Sequence, residues 1–353
     1  MAAYTTIDDP EAFFQVVTYT GNGSDDHAIT LPRDTDMQPD MVIIKNRDST
    51  EGPLVFDAVR GTTKYFYIPD SGGEVTDADT LDAFQSDGFR VDDDNIVNTN
   101  TEKYVAWCWK ANGSGSADTN GSINTSATSV NTTSGFSIMA YTGNATSGAT
   151  IGHGLGIIPE FVICKMLPEV SGRAPWGYHS AVGNTLVVNI ADDAVPADYA
   201  TAWNDTTPST SLITLGSSNQ TNGTNTHVAW AWAPIQGFSK MGQFEGNGNA
   251  DGAFVFLGFR PALIMIQSID STSGWMMFDD KREGYNAGYS GGGNNVLLFN
   301  ANTAEGSADQ IDILSNGFKC RIATDPNVAE TYIYCAWAKA PFVNSEGVPC
   351  NAH

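Results

Sequence analysis

The amino-acid sequence predicts an all-β protein of three tandem antiparallel β-sandwich modules with a jelly-roll-like character. Three observations predict it: the same motifs return three times in order, short apolar runs alternate with Gly, Asn, Asp and Ser turns, and no stretch sustains a 3.6-residue apolar period. The repeats are domain-sized, so the chain divides into modules at residues 1–111, 135–236 and 237–353.

Each module opens on a strand that ends in an aromatic residue and a Gly-Asn turn: "YTGNG" at 19–23, "YTGNA" at 141–145 and "FEGNG" at 244–248. A proline then starts a short apolar strand, "PDMVIIK" at 39–45, "PEFVICK" at 159–165 and "PALIMIQ" at 261–267. Proline has no N–H to give a ladder and suits a strand's first position, while the β-branched and aromatic residues after it suit a buried strand. An aromatic-polar pair follows, "FD" at 56–57, "YH" at 178–179 and "FD" at 278–279. Further strands are "KYFYI" at 64–68, "TLVVNI" at 185–190 and "NVLLFN" at 295–300. "SDGF" at 86–89 is matched by "SNGF" at 315–318, and the middle module has "TSLITLG" at 210–216 in that place. The closing strands are "YVAWCWKA" at 104–111, "HVAWAWAP" at 227–234 and "YCAWAKAP" at 334–341. Residues 112–134, rich in Gly, Ser, Thr and Asn, read as a flexible or extended connector. The best short helix candidates are "DADTLDAF" at 77–84 and "DYATAW" at 198–203.

Strand alternation sends Val105, Trp107 and Trp109 to one face of the closing strand and Ala106 and Cys108 to the other. Aligned on the motif, Trp337 matches Trp107 and Trp230, and Lys339 takes the place of the second tryptophan. The first tryptophan therefore reads as core packing. The second, Trp109 and Trp232, is the candidate for stacking on a sugar ring. Cys108 aligns with Ala231 and Ala338, so a small buried residue suffices there.

Lys and Arg number 17 against 40 Asp and Glu, a formal charge of −23, which repels phosphate backbones and anionic membranes. Nucleic acid is excluded as a partner, and with no apolar run near the ~18–20 residues of a membrane helix, so is membrane insertion. The N-terminal "MAAYTTIDDPEAFF" lacks the basic and apolar regions of a secretory signal, which predicts folding in a cytosol. The cysteines at 108, 164, 320, 335 and 350 form no C-x-x-C pair and read as thiols, with pairing of Cys320 and Cys335 left open. The histidines at 27, 153, 179, 227 and 353 show no metal-ligand spacing. Neither a G-x-S-x-G elbow nor a phosphate loop is present, so the sequence predicts no enzyme, no catalytic residue and no cofactor. Asp92, Asp93 and Asp94 in "RVDDDN" are the candidate ligands for a hard cation, which prefers oxygen donors.

Several of these stretches together, "AYTTIDDPEAFFQVVTYTGNG", "VRGTTKYFY", "TEKYVAWCWKANGSG", "GFSIMAYTGNATSGATIGHGLGIIPEFVICK", "GFSKMGQFEGNGNADGAFVFLGFRPALIMI" and "PFVNSEGVPCNA", resemble a protein type of marine tailed bacteriophages, including cyanophages. The resemblance runs nearly end to end. It implies a virion structural protein on the particle surface, assembled in the host cytoplasm, with other virion proteins as partners; it transfers no catalytic or binding residue. A tail-fibre or receptor-binding role is the preferred expectation, with a host glycan or receptor as ligand. The alternatives are a head-decoration or capsid-fibre protein and a polysaccharide depolymerase. By analogy with other fibres the expected assembly is a homo-oligomer, a trimer. Contact surfaces are expected on loops 70–82, 168–177 and 282–293, which differ among the copies.

Overall fold

The computed structural model describes residues 3–33, 35–168, 174–282, 295–307 and 310–350. Its strands form three large and three small sheets, and every pairing is antiparallel. In the first large sheet the order is Phe14–Thr20, Lys103–Trp109, Met41–Asn46, Leu54–Asp57, Gly61–Tyr67 and Val75–Thr76. The third repeats that order with Ser239–Glu245, Thr331–Pro341, Phe259–Ser268, Met276–Asp279, Asn295–Leu298 and Gly306–Ser307. The second does so with Phe136–Thr142, Thr226–Trp232, Phe161–Met166, Trp176–His179, Gly183–Asn189 and Ala197–Asp198, and gains an edge strand, Thr125–Asn131. The small sheets combine His27–Thr30, Gly88–Val91 and Leu81–Gln85, then Ala149–Gly152 and Leu212–Leu215, then Phe254–Phe256, Gly317–Cys320 and Ile311–Leu314.

A strand between two layers must be apolar on both faces, and the proline-led runs meet that demand. Val42 and Ile44 turn toward the small sheet beside them and Met41 and Ile43 turn the other way, into a separate cluster. Val162 and Cys164 divide from Phe161 and Ile163 in the same manner. Each large sheet therefore makes a sandwich with its small partner on one face and meets the other large sheets on its second face.

That second face changes what the closing tryptophans do. The sequence suggests that each module packs its own core, but Trp109, Trp232 and Trp337 come from three different sheets and touch one another, with ring centroids 5.2 to 6.1 Å apart. Polar contacts close the ring of sheets around them. Trp107 Nε1 donates to Asp279 at 3.1 Å, His179 Nε2 meets the Tyr334 carbonyl at 3.2 Å, and Arg60 lies 5.9 Å from the Trp230 ring. Arg47 holds Glu305 through two bonds of 2.8 Å, and Trp275 Nε1 donates to the Asn189 carbonyl at 3.0 Å.

Register corrects the motif alignment of the third copy. Tyr19 pairs with Tyr104, Tyr141 with His227 and Phe244 with Tyr332, and the three pairs stack with interplanar angles of 10°, 11° and 17°. Counting from these partners, Trp337 is the equivalent of Trp109 and Trp232, Cys335 that of Trp107 and Trp230, and Ala336 that of Cys108. The replaceable tryptophan is thus the first one. Its neighbour across the sheet boundary changes with it: Trp107 faces the Asp279–Arg282 ion pair and Trp230 faces Asp57–Arg60, whereas Cys335 lies beside Tyr334, whose carbonyl meets His179 in place of such an aspartate.

The Gly-Asn turn is explained by a residue distant in sequence. Asn98, Asn222 and Asn327 are fully buried, and their side-chain oxygens accept from the backbone N–H of Asn22, Asn144 and Asn247 at 2.8, 2.9 and 3.1 Å. Asn222 also donates to the carbonyls of Thr146 and Gly216 at 2.9 and 2.7 Å. The glycine of each motif lets the two segments close: a Cβ at Gly21, Gly143 or Gly246 would lie 2.1, 2.1 or 1.9 Å from a backbone oxygen.

Two expectations about local structure are revised. Within 77–84, residues 81–84 belong to the strand Leu81–Gln85, since Leu81 is needed in the core and its neighbours pair with Gly88–Val91; Ala200–Trp203 does form a one-turn helix. Of the expected connector, 125–131 is a strand, and Ile123 enters the core of the second sandwich.

Candidate functional site

The hairpin between Gly61–Tyr67 and Val75–Thr76 encloses a cleft of about 180 Å3, lined by Tyr67, Asp70, Gly72, Gly73, Glu74 and Val75. It lies on the first of the loops expected to carry contacts. The loop is fixed from below by the second large sheet: Lys165 Nζ donates to the Gly72 carbonyl at 2.6 Å, and Glu74 N donates to the Leu167 carbonyl at 2.6 Å. Lys165 is buried against the Phe66 ring, 5.5 Å away, and burial pushes its amine down to about 8. Glu74 is held between Arg60 at 3.4 Å and Lys64 at 3.5 Å. Asp70 is exposed, and its Oδ1 accepts from Gly72 N at 2.9 Å. Burial raises the Tyr67 phenol above its ordinary value, so it acts as a neutral hydroxyl.

The cleft thus offers an aromatic wall, the exposed carboxylate of Asp70, the ion-paired carboxylate of Glu74 and backbone groups. These are groups that bind hydroxyl-bearing or cationic ligands. Among the described residues no Ser, Cys or His lines it, and the one cluster of metal-ligating side chains lies elsewhere, at Asp26, Asp82 and Asp92. Of the other expected loops, residues 169–173 and 283–293 lie outside the described residues, as does His353.

The structure separates the sequence-derived candidates. Trp109 and Trp232 are 2% and 4% exposed and sit in the shared core, where no glycan reaches them. They line an apolar void of about 20 Å3 between the sheets, a packing gap with room for about one water. Asp92 gathers with Asp26 and Asp82, their carboxylate oxygens within 4.8 Å of one another, but Arg90 already bridges Asp26 and Asp82. Asp94 instead caps the turn Asn95–Asn98 through Ile96 N at 2.8 Å. Asp93 raises the carboxyl of the nearby Asp25 by repulsion. Cys320 and Cys335 are free thiols, Cys320 near the Pro326 carbonyl and Cys335 between its strand partners Met241 and Met265.

Lys165 was not singled out by sequence. The signal was present, since Lys45 and Lys165 end the same proline-led run, and a charged residue repeated at the end of a buried strand demands local carbonyl partners. Lys45 finds them at Asn46, Ser49 and Glu51.

Fold and cleft together define an all-β protein in which three strand-order repeats close into one body. Residues 9–341 match the model of the family described as Domain of unknown function (DUF7483), and the chain belongs to that family. No curated protein and no solved structure matches it.

Proposed function

We propose that this chain is a non-enzymatic bacteriophage virion structural protein that serves as a tail-fibre or receptor-binding component. The observation that carries the reading is the arrangement of a rigid sheet scaffold around a formed cleft on the 67–75 loop, combined with the phage resemblance of the sequence. Binding surfaces are commonly loops displayed by rigid strands, because the scaffold lowers the cost of ordering them. A host glycan or receptor is the ligand of this proposal, and other virion proteins are its partners. Purified protein is expected to bind host cells. Absence of binding, together with immunogold label confined to the phage head, sinks it.

A second reading, a head-decoration or capsid-fibre protein, is favoured by one observation. The described strands close upon a shared core and none forms a fibrous shaft. The same labelling experiment separates the two, with head label expected for decoration and tail label for a fibre. A depolymerase is the least supported reading, since of the two carboxylates that line the cleft Glu74 is engaged by Arg60 and Lys64; release of reducing ends from host polysaccharide would establish it.

A further inference from the structure

The three small sheets are equivalent, but their outer edges are treated differently. Gly88 pairs with Thr30 and Gly317 with Phe256, so Ala28 and Thr30 in the first sheet correspond to Phe254 and Phe256 in the third. The buried Ile29 and Val255 between them confirm the phase, and Ile151 sets Thr150 and Gly152 as the counterparts in the second sheet.

In the second sheet this edge is covered by the chain itself. Ile123 N donates to the Thr150 carbonyl at 2.9 Å, and Thr150 N donates to Ser122 Oγ at 2.8 Å. An extended segment is therefore laid along the strand. In the third sheet Phe254–Phe256 is the edge strand, and among the described residues no such segment lies along it. Ala253 O and Leu257 N bond to Cys320 and Asn316, which turns residues 253, 255 and 257 inward and the backbone groups of Phe254 and Phe256 outward. Phe254 and Phe256 are each 50% exposed, the most exposed aromatic side chains among the described residues.

An open edge with two aromatic residues is a template for pairing with another strand. We propose that Phe254–Phe256 pairs antiparallel with the same strand of a second copy of this chain. The sequence Phe-Val-Phe reads the same in both directions, so a twofold axis at Val255 sets Phe254 of one copy opposite Phe256 of the other. Both outward N–H and C=O groups then find partners, and the phenylalanines cover one another. The Phe256 carbonyl also accepts from Lys240 Nζ at 2.7 Å, and its second lone pair serves the new ladder. Charge permits the approach despite the net −23 of each chain: the ammonium of Lys240 lies 5.8 Å from the Phe256 ring, and Asp251 near the strand is paired with Lys319.

A strand this short places the contact in the weak class, with a Kd of about 10–100 μM. Sedimentation equilibrium of the full chain should show a monomer–dimer equilibrium in that range. The double variant Phe254→Lys/Phe256→Lys should raise the Kd at least tenfold, and Thr30→Lys, at the equivalent edge of the first small sheet, should leave it unchanged. A monomer up to about 0.5 mM, a trimer, or a dimer indifferent to the double variant overturns the proposal. Should the double variant not fold, hydrogen exchange of the Phe254 amide in the unmodified chain decides: slowing with concentration supports the pairing, and equally fast exchange at all concentrations overturns it. The proposal does not rest on the virion reading and survives its failure.

Discussion

Asn222 illustrates how a single side chain can carry a motif. It is fully buried and makes bonds to Asn144, Thr146 and Gly216, so Asn222→Ala strands one donor and two acceptors. Leaving a buried polar group unmade costs about 1–3 kcal/mol, and the variant is expected to lose about 3 kcal/mol or more in urea unfolding. Gly143→Ala should act on the same turn, because its Cβ would meet the Gly223 carbonyl oxygen at 2.1 Å; overpacking of this kind costs about 1–3 kcal/mol. His179 supplies a pH response. It is wholly buried at the boundary of two large sheets, and burial pushes its imidazole down to about 4 from an ordinary 6.5. The unfolded chain takes up the proton first as pH falls, so this contribution is full above pH 6.5 and is lost on the way to about pH 4. The loss amounts to about 3 kcal/mol. Stability measured at pH 7 and pH 4.5 should differ more in the unmodified protein than in His179→Gln. Equal differences in both would remove His179 as the cause.

At the scale of elements, strand identity was legible because its signals are local. A leading proline, an apolar run and a Gly-Asn or Asp-Gly turn each specify their own few residues. The closing strand of the third copy was misaligned for the same reason: the motif "AWAKAP" matches by spelling, while equivalence is set by which residues pair with Phe244 and Leu263. Leu81–Gln85 escaped detection because its pattern is weak and its partner strand supplies the ordering. The shared ion pairs act at this scale too. Asp279 and Arg282 are 2.6 Å apart and almost wholly buried, so Asp279→Ala leaves the guanidinium without its main counter-charge and removes the acceptor of Trp107 Nε1. Breaking such a pair costs about 3–5 kcal/mol, and chemical denaturation should reveal a loss of that size. Of the candidate cleft, the loop position was readable from its difference among copies. Its support was not, since Lys165 lies far along the chain from Gly72.

For the whole molecule, the shared core ties the three large sheets into one cooperative unit. Trp109, Trp232 and Trp337 each contribute to a cluster that belongs to no one sheet. Calorimetry is therefore expected to show one transition. Trp337→Ala should lower that single transition as a whole, with a loss of about 3–5 kcal/mol; three separable transitions, with only one displaced by the substitution, would contradict the shared core. The sequence by itself determined the all-β class, the strands led by proline and the core packing of the first closing tryptophan, because alternation and turn chemistry act over a few residues. Only the tertiary structure decided that the tryptophans meet across sheets, that Trp337 is the equivalent of the second tryptophan of the motif, and that one edge strand is covered while its equivalent is open. Those facts depend on which surfaces approach one another, and a contact between residues a hundred or more positions apart leaves no periodic trace in either segment.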